Sequence, residues 1–260
     1  KEFDRIANKR VRGYLTSTGG SGRSPTKIYL SDSAYYENIV HVLFSWKKLG
    51  YQRGDRKLTL RGIDLGKELV RFNPIYNEIL VNAFLMSENN ISEIMKKVAE
   101  FNPSFAHGYP SIFCRLAKLL MGKDFKITLK GVSFASEGFT ETQRDLVEDI
   151  FSCPVRGFYG HSERASFATE LPKHKGIYKV LPTYGFVEIL GKDSERVRVG
   201  EFGEVVCTGF INEGMPLIRY RTGDYAVLHK EVCGIVTEIS NLVGRWGKDF
   251  AVNKKGEKIS

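Results

Sequence analysis

Residues 105–159 read FAHGYPSIFCRLAKLLMGKDFKITLKGVSFASEGFTETQRDLVEDIFSCPVRGFY, and this stretch decides the fold. Phe105 to His107 reads as a short strand. Ser111 to Met121 follows at helical spacing, with Pro110 in the first turn, where a missing N–H is harmless. Ile127 to Ala135 reads as a strand. A second helix opens on the capping box Thr140-Glu-Thr-Gln143, and Val155 to Tyr159 is a further buried strand. Strands that alternate with helices predict an α/β fold, a mostly parallel sheet with helices on both faces.

The same rhythm extends toward the N-terminus. Val11 to Thr16 and Lys27 to Leu30 read as strands flanking a Gly/Ser loop. Tyr35, Ile39, Val42, Leu43, Trp46 and Leu49 form an apolar face at helical spacing, with Ser31 or Asp32 as cap and Gly50 as stop. Lys57 to Arg61 and Glu78 to Leu85 look extended, and Ile91 to Phe101 looks helical. After about Gly176 the pattern changes. Tyr178–Leu181, Gly185–Leu190, Gly203–Thr208, Leu217–Tyr220, Tyr225–Leu228 and Gly234–Ile239 are short strands without helices between them, an appended antiparallel β subdomain. The expected organisation is an α/β subdomain over 1–176, N-terminally incomplete, a β-barrel-like subdomain over 177–243, and a hinge over 244–260.

Composition fits this picture. The 260 residues are 42% hydrophobic, 12% aromatic and 27% charged. That much apolar area excludes intrinsic disorder. Apolar runs such as Ile39 to Phe44 are too short and too interrupted to span a bilayer. The chain starts at Lys1, so its first residue is not read as a gene start, and no secretory leader is visible. Cys114, Cys153, Cys207 and Cys233 lie far apart, which predicts reduced core thiols in a cytoplasmic protein and neither a disulfide scaffold nor a compact zinc module. The 39 Lys and Arg against 30 Asp and Glu give a formal charge of +9. The basic residues are scattered in pairs such as Lys9–Arg10, Lys47–Lys48 and Lys96–Lys97, without the stripe of a nucleic-acid binder. The surplus also suits a nucleotide triphosphate.

Three loops can carry chemistry. Thr16-Ser-Thr-Gly-Gly-Ser-Gly-Arg-Ser-Pro25 offers glycines that turn N–H groups toward an anion and hydroxyls that donate to phosphate oxygens. It lacks the Gly-Lys-Ser/Thr of a Walker loop and the third glycine of a dinucleotide fingerprint, and read alone it is equally a plain surface hairpin. Phe158-Tyr-Gly-His-Ser-Glu163 lies beyond the carboxyl end of a strand, where open α/β sheets bind ligands. Tyr159 offers a ring for stacking, Gly160 close approach, and Glu163 a carboxylate for a cation. A capped loop entry is the alternative. In Pro216-Leu-Ile-Arg-Tyr-Arg-Thr-Gly-Asp224, alternation buries Leu217 or Ile218 and leaves Arg219 and Arg221 on one face. Gly223 then permits a turn that points Asp224 outward, either to accept both hydroxyls of a ribose or as an ordinary turn residue.

In this order, the three loops resemble the adenylate-forming superfamily of acyl-CoA synthetases and adenylation domains, closest to phenylacetate–CoA ligases and their relatives in capsule-polysaccharide gene clusters. Phe134-Ala-Ser-Glu-Gly138 is similar to the family's adenine-binding turn, Gly203-Glu-Val-Val-Cys-Thr208 to its Gly-Glu-Leu-Val-Val-Thr strand, and Gly244-Arg-Trp-Gly-Lys-Asp-Phe250 to its hinge. The resemblance runs from Thr16 to Ser260, and Tyr-Arg-Thr-Gly-Asp with Tyr-Gly-x-Ser-Glu upstream is its most specific part.

That resemblance implies an ATP-dependent, AMP-forming ligase. A carboxylate attacks the α-phosphate in line, pyrophosphate leaves, and the thiol of CoA takes the acyl group from the adenylate. Thr16, Ser17, Thr18, Gly19, Gly20, Ser21, Gly22 and Arg23 would hold the phosphates of ATP. Ser136, Glu137 and Gly138 would border the adenine, with Tyr159 stacked on it beside Gly160, and Asp224 would bind the ribose. Glu163 would ligate Mg²⁺, and Arg245 would reach the ribose or phosphate from the hinge. His107, Tyr109, Phe134 and His161 would form the acyl pocket; core is the alternative for these aromatics and the favoured reading for Phe134. The partners implied are a small carboxylic acid and ATP, with neither nucleic acid nor membrane insertion. A non-catalytic nucleotide- or acyl-binding relative is the alternative.

Four departures stand out. The phosphate loop is one residue longer between Gly22 and Pro25, Gly138 replaces a proline, and Asp249 falls one place late at the hinge. Leu171 and Tyr178 occupy places where some relatives carry a Cys/His pair, so no metal beyond Mg²⁺ is expected there. The family's C-terminal domain, with its adenylation lysine, would begin near Ser260. This chain is therefore expected to bind ATP but to adenylate slowly.

Overall fold

The computed structural model describes residues 6–17, 26–125 and 127–244, with short backbone pairings at Ala251–Val252 and Lys258–Ile259. The chain divides into two compact units, Leu43–Phe158 and Lys1–Val42 with Tyr159–Ser260.

The Leu43–Phe158 unit contains strands β3 (Lys57–Leu60), β4 (Val70–Asn73), β5 (Glu78–Val81), β6 (Phe105–Gly108), β7 (Val132–Phe134) and most of β8 (Val155–Gly160). Their order is β8-β7-β6-β3-β5-β4, parallel except for β4 against β5. Helices α2 (Ile91–Phe101), α3 (Pro110–Leu120) and α4 (Glu141–Phe151) cover one face. Each buries the stripe that a 3.6 period places together: Ile91, Ile94, Met95 and Val98 on α2, then Phe113, Leu116, Ala117 and Leu120 on α3. They pack on Leu58, Leu60, Ala106, Val132, Phe134 and Val155 of the sheet. The expected capping box is present. Thr140 Oγ1 accepts from the Gln143 amide at 3.2 Å, and Gln143 Oε1 accepts from the Thr140 amide at 2.9 Å.

Two strand expectations shrink in this unit, and one strand is new. Only Val132–Phe134 of Ile127–Ala135 is paired. Glu78–Leu85 ends as a strand at Val81, because the buried Asn82 donates to the Gly66 and Glu68 carbonyls at 3.1 Å and accepts from the Phe84 amide. The edge strand β4 mixes exposed Arg71 and Phe72 and carries no clear alternation.

In the other unit, β1 (Gly13–Ser17) and β2 (Lys27–Ser31) form an antiparallel hairpin. Helix α1 (Asp32–Lys47) starts here, with Ser31 Oγ accepting from the Ala34 amide at 3.2 Å, and continues into the first unit. An antiparallel sheet runs β11-β12-β13-β14-β10-β9, built from β9 (Phe167–Leu171), β10 (His174–Val180), β11 (Gly185–Leu190), β12 (Phe202–Gly209), β13 (Tyr220–Val232) and β14 (Ile235–Val243). Tyr178, Val180, Val187, Ile189, Val205, Cys207, Leu228 and Ile239 form its core. The α/β fold with an antiparallel part is therefore as expected. The boundary is not, because β9 is already antiparallel to β10 before Gly176, and compactness divides the chain at Tyr159.

Leu217–Tyr220 and Tyr225–Leu228 are not two strands joined by a turn. The second belongs to the long β13, the first is irregular up to Tyr220, and Ile218 is 78% exposed whereas Leu217 packs on the core. Between the pairs Val206↔Arg221 and Glu204↔Tyr225, β12 has one residue where β13 has three. This bulge carries Gly223 at φ 75°. Thr222 closes it by donating to the Val205 carbonyl at 2.7 Å and accepting from the Asp224 amide at 3.0 Å.

Candidate functional site

The bulge sets Asp224 against the end of β8. Tyr159 Oη donates to Asp224 Oδ2 at 2.9 Å, and Tyr159 is only 8% exposed. Burial, followed by the Asp224 charge, pushes the Tyr159 phenol well above its ordinary range, so it remains a donor. A Cβ on Gly160 would lie 3.4 Å from the Phe167 ring and 3.6 Å from the Ser166 carbonyl, in ordinary van der Waals contact.

Four residues after Tyr159, Glu163 is 3% exposed. Tyr220, the first residue of β13, donates from Oη to Glu163 Oε1 at 2.8 Å. His161 Nδ1 lies 3.9 Å from Glu163 Oε2, and its ring stands edge-on to Tyr159 and Tyr220. The loop leaves through Arg164 at φ 57°, whose Nη1 donates to Asn38 Oδ1 at 2.8 Å while Tyr184 Oη donates to the same oxygen at 3.0 Å. Tyr159, Gly160, His161, Glu163 and Asp224 thus meet in one unit, each of the two carboxylates steadied by a tyrosine hydroxyl. A carboxylate accepts about four hydrogen bonds and takes hydroxyls and cations alike, which is the chemistry a ribose or Mg²⁺ needs. Among the described residues no three His, Cys, Asp or Glu side chains converge on a metal position. The buried Glu163 carboxylate fits Mg²⁺, which is commonly held by one or two carboxylates with substrate phosphates completing its shell.

Of the phosphate loop, Thr16 and Ser17 end β1, paired with Ile28 and Lys27. Asn212, 5% exposed, locks the base of this hairpin: Oδ1 accepts from the Ser31 amide at 3.0 Å, and Nδ2 donates to the Tyr29 carbonyl at 3.1 Å. Thr18, Gly19, Gly20, Ser21, Gly22, Arg23 and Arg245 lie outside the described residues.

The other expected residues belong to the Leu43–Phe158 unit. Ser136, at φ 68°, Glu137 and Gly138 form an exposed turn after β7, and Glu137 Oε2 accepts from the Ser111 amide at 3.1 Å in the first turn of α3. Tyr109 is half-buried, directly before α3. His107 is held in a polar network in which Thr59 Oγ1 donates to Glu78 Oε2 at 2.6 Å and lies 2.9 Å from His107 Nε2. Burial works to raise the Glu78 carboxyl, but the bonds from His107 and Thr59 and the nearby Arg61 outweigh it and hold the group at about 2. Burial, with the Arg61 and Lys57 charges, lowers the His107 imidazole against the pull of Glu78. Phe134 is corrected to core, since it is fully buried between Phe113 and Phe139 at ring separations of 5.7 and 5.0 Å.

Sequence reasoning missed Tyr220, Thr59, Glu78 and Asn212. Two of them left a signal: Tyr220 opens the Tyr-Arg-Thr-Gly-Asp224 motif, and Thr59 is a polar residue between two leucines in a stretch read as extended. Arg219 and Arg221 pair instead with Glu188 and Glu204. Cys114, Cys153 and Cys207 are buried free thiols, whereas Cys233 is exposed rather than core.

No family profile matches the chain. Protein CapK of Staphylococcus aureus is 25% identical over 241 residues, covering 89% of this chain and 52% of the relative. A 2-hydroxyisobutyryl-CoA ligase in the postadenylation state superposes with a TM-score of 0.67 at 18% identity, covering 95% of this chain and 54% of that one. The anthranilate CoA ligase AuaEII in complex with anthranoyl-AMP gives 0.63 at 16% identity, covering 95% and 49%. The chain therefore spans about half the length of the proteins it matches. It has the fold of the N-terminal domain of the adenylate-forming acyl-CoA ligase superfamily, the superfamily that its loops resemble.

Proposed function

We propose that this chain forms the ATP-binding part of an AMP-forming acid–thiol ligase of the phenylacetate–CoA ligase type, which activates a carboxylic acid as its adenylate and passes the acyl group to CoA. The observation that carries this reading is the meeting of two tyrosine-held carboxylates, Asp224 and Glu163, at the end of β8. Asp224 accepts the ribose hydroxyls and sets the nucleotide's orientation. Glu163, kept in place by Tyr220, would hold Mg²⁺, which would supply positive charge to the phosphates. Thr16 to Arg23 donate to the phosphates, Ser136 to Gly138 border the adenine, and Arg245 completes the charge stabilisation. Most of the catalysis is positioning, which holds the acid's carboxylate oxygen in line with the α-phosphorus. The likeness to CapK supports a role in capsule or other surface-polysaccharide synthesis. The buried free thiols suit a reducing cytoplasm. Among the described residues no helix is long and apolar enough to cross a membrane.

Calorimetric titration with Mg·ATP tests this reading. Micromolar binding, about −8 kcal/mol, is expected for the chain and is lost in Asp224→Ala. In Tyr220→Phe, ATP binding persists but requires roughly 10- to 150-fold more Mg²⁺, the loss of about one hydrogen bond to a charged group. Pyrophosphate exchange that needs an added carboxylic acid separates a ligase from a non-catalytic nucleotide binder.

A further inference from the structure

One face of the β3-β6-β7 sheet is polar where it is expected to be apolar. Strands of a parallel sheet covered on both sides read as continuous hydrophobic runs. On the helix side this holds: Leu58, Ala106, Val132 and Val155 form one fully buried register row. The next row along these strands is Thr59↔His107↔Ser133, pointing to the opposite face.

The two ends of that row differ. At the β3 end Thr59 and Glu78 are matched. Glu78 takes the Thr59 proton at 2.6 Å and an Asn73 Nδ2 bond at 3.0 Å. Because the only hydroxyl proton of Thr59 goes to Glu78, the 2.9 Å contact with His107 requires Nε2 of His107 to carry the hydrogen. Nδ1 of the neutral ring is then left as an acceptor. At the β7 end the matching stops. Ser133 is 1% exposed and its Oγ has no hydrogen-bond partner among the described residues. The same is true of Nε1 of Trp46, whose ring packs on His107 at 4.6 Å. Register sets Ser133 beside His107 and the Trp46 ring packs on it, so two residues with unpaired donors neighbour an imidazole whose tautomer is fixed by Thr59. Buried polar groups are otherwise nearly always paired, and leaving one unpaired is strongly unfavourable.

We propose that His107, Ser133 and Trp46 bind a hydroxyl group of the carboxylic acid that this chain activates, so that its substrate is a hydroxylated acid rather than a plain hydrocarbon one. The substrate hydroxyl donates to His107 Nδ1 and accepts from Ser133 Oγ or Trp46 Nε1, while Thr59 and Glu78 are positioning residues that hold the His107 tautomer. The His107 side chain keeps 13% exposure, whereas Ser133 is 1% and Trp46 8% exposed. This assignment rests on the acid-activation reading above.

The test is calorimetric binding of matched acids to the 260-residue chain: 3-hydroxybutyrate with butyrate, lactate with propionate, and 4-hydroxyphenylacetate with phenylacetate, beside a Mg·ATP titration. At least one hydroxylated acid is expected to bind about 10-fold or more tighter than its partner, because a site built around a hydroxyl rejects the analogue that lacks it. Ser133→Ala and Trp46→Phe, which preserve packing, bring that ratio to within about 2-fold. Ser133→Ala leaves thermal stability unchanged or raised, since it removes an unpaired buried hydroxyl. Equal affinities within every pair, with Mg·ATP still bound, overturn the hydroxyl site and spare the ligase reading. Loss of stability in Ser133→Ala with an unchanged ratio assigns the row to an internal water only and also overturns it. Failure of Mg·ATP to bind overturns the ligase reading itself.

Discussion

Tyr159 and Asp224 are 65 positions apart in sequence, and the Tyr159 hydroxyl donates to Asp224 Oδ2 at 2.9 Å. The bond joins the end of β8 to a three-residue bulge in β13, so the carboxylate is oriented by two elements that sequence reading treats as separate loops. Tyr159→Phe removes the hydroxyl and keeps the ring. Mg·ATP affinity is expected to fall by up to roughly 10- to 150-fold, the worth of one hydrogen bond to a charged group. Calorimetry of the variant beside the parent chain checks this, and an unchanged affinity would detach Tyr159 from nucleotide binding.

Asn212 is the second long-range fastening in the same unit. Its amide replaces backbone pairing on β2 by accepting from Ser31 and donating to Tyr29. Asn212→Ala leaves two buried backbone groups unmatched, at roughly 1 to 3 kcal/mol each. Denaturant unfolding is expected to show a loss of about 2 to 6 kcal/mol, and limited proteolysis should cut sooner between β1 and β2. Asn212→Asp is expected to recover only the bond from Ser31.

The Glu78–Thr59–His107 network makes stability depend on acidity. Glu78 is held at about 2 against an ordinary 4.5, so its contribution is complete above pH 4.5 and disappears as pH falls toward 2. The lowered His107 imidazole acts in the same direction at higher pH. It stays neutral in the folded chain while the unfolded chain takes up a proton near its ordinary 6.5, so stability begins to decline below that value. The Glu78 shift corresponds to on the order of 3 kcal/mol. Unfolding midpoints in urea between pH 7 and pH 3, followed by the fluorescence of Trp46 beside His107, are expected to fall steadily. Glu78→Gln flattens the segment below pH 5, and a wild-type slope in that variant would remove Glu78 from the explanation.

The sequence by itself determined the features whose physics closes within a few residues. The 3.6 period sets α2 at Ile91–Phe101, Pro110 opens α3, and Thr140 with Gln143 builds a cap from neighbours three positions apart. Motif order was enough for the superfamily fold, because Tyr-Gly-His-Ser-Glu163 and Tyr-Arg-Thr-Gly-Asp224 keep their identities wherever the chain carries them. Only the tertiary structure decided which side chain answers which. Tyr220 meeting Glu163, Tyr159 meeting Asp224 and Thr59 standing between Glu78 and His107 depend on register across strands far apart in sequence. The same holds for the Gly223 bulge, which local signals present as a turn because glycine permits both, and for Phe134, whose place in the core depends on Phe113 and Phe139 from other elements. Capping and periodicity are short-range and survive in the unpaired chain, whereas strand register and the matching of buried polar groups arise only once the sheets are assembled.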